Sequence, residues 1–147
     1  MWAQERWATY ANPRFGTMAD YPADLFTVRD PPPENGDGQS FRTADGRAQL
    51  SIYGTRNAEA DTPQSYVKKN VDPQGASYKR VTKRFYIVSG IREGSIFYDR
   101  CNFPPVPEGV IDCFSLTYAA QEKAAWDPIV TRLSNSLRAG RGIEPRR

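Results

Sequence analysis

Apolar residues recur at two different spacings along this chain, and the change from one to the other separates a β-rich body from a helical end. Leu50 and Ile52 alternate with Ser51 and Tyr53, the period of a strand buried on one face. Ala44-Asp45-Gly46-Arg47 precedes this run, so Gln39 to Thr43 and Ala48 to Gly54 are predicted to form a hairpin with Asp-Gly at its tip. Near the start, Trp7 to Tyr10 reads as a strand, Asn12-Pro13-Arg14 as a turn, and Phe15 to Tyr21 as the return strand. Ser77 to Val81, Arg84 to Ser89, Ser95 to Arg100 and Val110 to Tyr118 complete the predicted strands, the middle two joined across Gly90 to Gly94. The spacing then changes. Trp126, Ile129, Val130, Leu133 and Leu137 recur three and four residues apart and share one helical face. Asp127-Pro128 either restarts this helix or kinks it.

Punctuation supplies the rest. Pro22 to Phe26 fits a single helical turn, and Thr27 to Arg29 is extended after it. Asp30 to Gly38 holds three consecutive prolines and two glycines, which exclude regular structure and make it a surface loop. Thr62-Pro63 is an N-cap followed by proline at the first helical position, opening a short helix to Asn70. Gly140 and Gly142 end the regular structure and leave a basic tail. The prediction is therefore one α+β domain over residues 1–140, with an amphipathic C-terminal helix packed on an antiparallel sheet, and a flexible basic tail over residues 141–147.

Composition narrows the chemistry. The 147 residues are 39% hydrophobic and 12% aromatic, enough for a globular core, and no apolar run is long enough for a membrane span. Lys and Arg outnumber Asp and Glu by 20 to 17, too small an excess to imply a polyanion partner for the whole surface. Histidine is absent. That excludes Ser-His-Asp and Cys-His catalysis and removes the commonest metal ligand, so no cofactor, metal or catalytic residue is expected.

Cys101 and Cys113 flank a loop containing Pro104, Pro105, Pro107 and Gly109, which can turn the chain back and join them. The bridge would stabilise the fold by about 3 kcal/mol and point to an oxidising compartment; the alternative is a pair of thiols in the cytosol. Trp2-Ala3 reads as the remnant of a small-residue cleavage site, with Met1 an added start and the mature chain beginning near Gln4. A periplasmic or secreted location is the expectation from both.

Several constellations have a bland reading beside a sharp one. Tyr78-Lys79-Arg80-Val81-Thr82-Lys83-Arg84-Phe85-Tyr86 interleaves cations with rings, as single-stranded nucleic-acid surfaces do, but two strands or a bend with simply solvated basic side chains give the same pattern. The solvated reading is preferred and nucleic acid is not expected, while Lys79, Arg80, Lys83, Arg84 and Tyr86 are kept as a candidate binding surface. Asp30, Glu34, Asn35 and Asp37 supply oxygen ligands without EF-hand spacing, so turn chemistry is preferred to calcium. Glu93, Asp99, Glu108 and Asp112 lie around the cysteines, and a carboxylate hydrolase would need two of them across a cleft. Trp2 and Trp7 are expected to pin the N-terminal segment to the sheet edge.

Phe15-Gly16 with Tyr21-Pro22, Val88-Ser89-Gly90 before a hairpin, and Asp127-Pro128-Ile129-Val130 before Ser136-Leu137 follow one another in this element order. The arrangement resembles the Mog1/PsbP-like family, and a small bacterial exported member in particular. The resemblance implies an antiparallel sheet of about six strands flanked by helices. That fold serves photosystem accessory subunits, a partner of a nuclear-transport GTPase and small bacterial envelope proteins, so it implies no single function. The expected role is an exported, non-catalytic accessory or binding protein, presenting a sheet face or loop rim to another protein or a small ligand. A small carboxylate-dependent hydrolase and a weak single-stranded nucleic-acid binder through residues 78–86 are the alternatives.

Overall fold

The computed structural model describes residues 5–146. Trp2, the start near Gln4 and Arg147 lie outside the described residues. The elements run β1 (Trp7–Ala11), β2 (Met18–Pro22), β3 (Val28–Arg29), β4 (Gly38–Arg42), β5 (Gln49–Arg56), α1 (Pro63–Asn70), β6 (Ala76–Val81), β7 (Phe85–Arg92), β8 (Ser95–Asn102), β9 (Val110–Ala119) and, after one 3-10 turn, α2 (Lys123–Ser136). Strands β1 and β2 form a separate hairpin, and the main sheet has seven strands in the order β3-β4-β5-β9-β8-β7-β6. Every neighbouring pair is antiparallel. The class expected from sequence holds, with seven strands in the main sheet where about six were expected. Strand β3, only two residues long, is too short to leave a pattern.

Alternation sends the sheet's side chains to two cores. Leu50, Ile52, Phe114, Leu116 and Tyr118 face α2 and the β1–β2 hairpin, where Phe26, Trp126, Ile129 and Leu133 close the layer. On the other face Tyr86, Val88, Cys101, Ile111 and Cys113 pack with Phe103 under α1. Each fully buried aliphatic side chain of α2 stabilises this arrangement by about 1.5–3 kcal/mol relative to exposure. That burial outweighs Pro128, which sits inside a single continuous helix and leaves the Ala124 carbonyl without its helical donor. The N-terminus of α1 forms as its sequence predicts: Thr62 Oγ1 accepts from the Ser65 N–H, and the Ser65 hydroxyl accepts from the Thr62 N–H.

One expectation is corrected. The β7–β8 connection is a two-residue turn at Glu93-Gly94, both with positive φ, and Gly90, Ile91 and Arg92 belong to the strand. The described part of the expected tail, residues 141–146, is hydrogen-bonded along the β1–β2 turn. The Ile143 and Glu144 N–H groups donate to the Pro13 and Arg14 carbonyls, and Glu144 pairs with both Arg14 and Arg56. The crossing is close enough that a Cβ on Gly16 would overlap the Gly140 carbonyl, and Gly16 is also at φ +85°.

Candidate functional site

Strand β6 ends the sheet, and its residues Ala76 to Arg80 are exposed on every side. A tight turn joins it to β7. The Thr82 N–H donates to the Phe85 carbonyl, while Thr82 Oγ1 accepts from the Arg84 and Phe85 N–H groups. Those bonds satisfy the turn's backbone and leave the Lys83 and Arg84 side chains in solvent. Alternation places Tyr78 and Arg80 on the face that carries Phe85, and Lys79 and Val81 on the opposite one.

Phe85 organises this corner. The Arg100 guanidinium lies 4.2 Å and the Arg80 guanidinium 5.1 Å from its ring centroid, both within cation–π range. Arg100 is fixed by donating from Nε to Asn102 Oδ1 at 2.8 Å and from NH1 to Ser134 Oγ at 3.0 Å. Burial lowers its pKa below the ordinary arginine value. Among the described residues no carboxylate pairs with Lys79, Arg80, Lys83, Arg84 or Arg100, whereas Arg14, Arg42, Arg56, Lys69, Arg138 and Arg146 each hold one. On the Lys79 face a groove of about 390 Å³ runs between β6 and α1, lined by Val67, Lys68, Val71, Tyr78, Lys79 and Val88.

Of the five expected surface residues, Arg80 lies beside Phe85, Lys83 and Arg84 project from the turn just before it, Lys79 points to the opposite face beside the groove, and Tyr86 is buried. It is 5% exposed and packs among Tyr66 and Phe103, where burial raises the pKa of its hydroxyl. Strand alternation turns Phe85 and Tyr86 to opposite faces, so the ring in the corner is Phe85. Arg100 was missed because it comes from β8, and only the β7–β8 register brings it beside Ile87.

The other candidates do not assemble. Asp99 and Asp112 occupy opposite faces of the sheet, Glu93 sits in the β7–β8 turn and Glu108 in the cysteine loop, so no two of them face each other across a cleft. Asp30 pairs with Arg42, and Asn35 Oδ1 accepts from the Asp37 N–H, as ordinary turn contacts. Among the described residues no three His, Cys, Asp or Glu side chains converge. A cleft of about 530 Å³ lies between the hairpin, the Asp30–Gly38 loop and Ile143. Its amides and Arg14 are already engaged: Asn12 donates to Gly36 O, Gln39 to Asp30 O, and Arg14 to Glu144.

Asp112 has a structural role. It is 4% exposed, accepts from Thr17 Oγ1 at 2.5 Å and pairs with Arg146. Burial nevertheless raises its pKa above the ordinary aspartate value, with Thr17 and Arg146 opposing the shift. Without Arg146 the folded pKa would rise further, and the folded carboxyl would bind a proton that the unfolded one releases. Stability would then fall as pH rises through that interval. Arg146→Ala is expected to cost roughly 2–3 kcal/mol at pH 7, less than for a fully buried pair because Arg146 is about a quarter exposed. The loss should be smaller at pH 4, and urea unfolding at the two pH values measures it.

Cys101 and Cys113 face each other across β8 and β9, 4.1 Å apart at Cα, and are joined by a disulfide. No family model matches the chain, and no curated protein matches it. Solved structures do. The solution structure of cyanobacterial PsbP (CyanoP) from Synechocystis sp. PCC 6803 matches with a TM-score of 0.62 at 11% identity, over 93% of this chain and 94% of that one. This chain has the Mog1/PsbP-like fold. A crystal structure from Bacteroides thetaiotaomicron VPI-5482 also matches the chain, with a TM-score of 0.54 at 15% identity, over 97% of this chain and 51% of that one. A Mog1/PsbP-like fold at such identities fixes the architecture and leaves the function to be argued from the surface. Among the described residues no helix is long and apolar enough to cross a membrane.

Proposed function

We propose that this Mog1/PsbP-like chain is an exported, non-catalytic binding or accessory protein that docks an acidic surface of another protein at the corner around Phe85. One observation carries the reading: Arg80 and Arg100 flank Phe85, Lys83 and Arg84 project from the adjoining turn and Lys79 from the other face of the same strand, and none has a carboxylate partner among the described residues. Like charges held together raise the local potential, steer an acidic partner and repel a basic one. Arginines set over an aromatic ring are also suited to carry much of an interface's binding energy. Export is supported by the Cys101–Cys113 bridge, since structural disulfides persist mainly in oxidising compartments.

The nucleic-acid alternative has less behind it. Bases need a free ring face, and Phe85 is half-buried beneath two guanidiniums, which leaves Tyr78 as the exposed ring of the tract. The hydrolase alternative lacks facing carboxylates, and a small ligand would find the amides and Arg14 of the 530 Å³ cleft already bonded.

Reversing Lys79, Arg80, Lys83 and Arg84 to glutamate tests the corner. Capture of envelope proteins from the native host should fall about tenfold, a loss near 1.4 kcal/mol, with the melting temperature little changed because all four side chains are exposed. Undiminished capture would reject the reading. Binding of an oligothymidine that weakens steeply with salt would replace it with the nucleic-acid one.

A further inference from the structure

We infer that the partner is held by strand addition, with an extended segment bearing alternate acidic residues pairing along the free edge of β6. This rests on the reading that the corner binds an acidic partner, and it specifies the geometry. Among the described residues strand β6 pairs only with β7, while the edge at the other end of the sheet, β3, is two residues long. The phase of the free edge follows from the turn. Because Thr82 donates to Phe85, the hydrogen-bonded positions alternate from there, so Arg80 and Tyr78 bond to β7. Lys79 and Val81 therefore direct their N–H and C=O groups outward, roughly 7 Å apart.

An unprotected edge of this kind pairs readily with any strand, including that of a second copy. Here the side chains choose. Antiparallel pairing of β6 with another β6 through the outward groups would set Lys79 opposite Lys79 in one register or Arg80 opposite Arg80 in the next, and like charges directly opposite destabilise a ladder. The register shift between Ala76 and Tyr78 interrupts the edge at its other end. An incoming acidic strand meets the reverse situation. Its residues on one face would lie beside Arg80, the guanidinium next to the free edge on the Phe85 side, and its residues on the other would lie along the groove lined by Val67, Val71 and Val88. The matching segment alternates acidic with small apolar residues, the pattern of a strand.

The test uses a fluorescent eight-residue peptide of alternating glutamate and valine, with two twins in which every second amide nitrogen is methylated, one in each phase. All three carry the same charge, but each twin loses the donors of one edge. The parent and one twin should bind, and the other twin should bind about tenfold more weakly. Equal binding of both twins would show charge attraction without pairing and overturn this inference while sparing the corner. Failure of the parent to bind at millimolar concentration would overturn it as well, and charge-dependent capture would still judge the corner separately. On the protein, Lys79→Pro removes an outward donor without breaking a bond to β7, and it should weaken the parent peptide about tenfold more than Lys79→Ala. A wild-type dimer at micromolar concentration in sedimentation would make the occupant a second copy and reject the acidic strand.

Discussion

Trp126→Ala is expected to lower the unfolding free energy by roughly 3–5 kcal/mol, the largest loss expected from a single substitution in this chain. Its side chain is 1% exposed and lies between two rings, 5.3 Å from Tyr118 on β9 and 5.7 Å from Phe26. Removing the indole therefore uncouples α2 from both the central strand and the segment after the first hairpin. The ring positions are set by different elements, and neither can collapse into the space without moving its own backbone. A cavity should persist, which places the cost toward the upper end of the range. Ile129→Val, on the same face, should cost only about 0.5–1.5 kcal/mol because it removes one methyl group. Denaturant unfolding of the two variants side by side checks this. If Trp126→Ala costs no more than Ile129→Val, α2 is not held to the sheet as described.

Replacing both cysteines with alanine is expected to cost about 2–4 kcal/mol. The bridge closes a segment with a sequence separation of 12 that includes three prolines, and it links residues already opposed in the ladder. In the chain-entropy account the gain comes from restricting the unfolded ensemble, so the double variant should keep the native sheet yet unfold at lower denaturant. A reductant should lower the melting temperature of the wild-type chain and leave the variant's unchanged. Equal stability of the two proteins under oxidising conditions would show that β8–β9 pairing holds this connection without the bond. It would also weaken the case for an oxidising compartment.

Local signals carried through to the structure and non-local ones did not. Asp45-Gly46, Thr62-Pro63 and the three-four spacing of Trp126, Ile129, Val130 and Leu133 each specify an element within a few residues, and each element formed where expected. The cysteine pair was legible for the same reason, because its loop is short and turn-rich. Strand β6 has no buried face to impose alternation, so its length and edge position could be seen only in the sheet order. Tyr86 was misplaced although the signal existed, since a period of two already separates it from Phe85. Residues 141–146 are anchored by Pro13, Arg14, Arg56 and Asp112, and nothing near them in sequence announces those partners.

The position of β9 has a consequence for how the protein is made. It is the last strand among the described residues, yet it lies in the middle of the sheet between β5 and β8. A ribosome that has released residues 1–109 has produced two β-units with no shared ladder, each with an open side where β9 belongs. Contacts joining them are distant in sequence, so closure is late and slow. The two halves of the main sheet consequently cannot share a ladder until β9 has emerged.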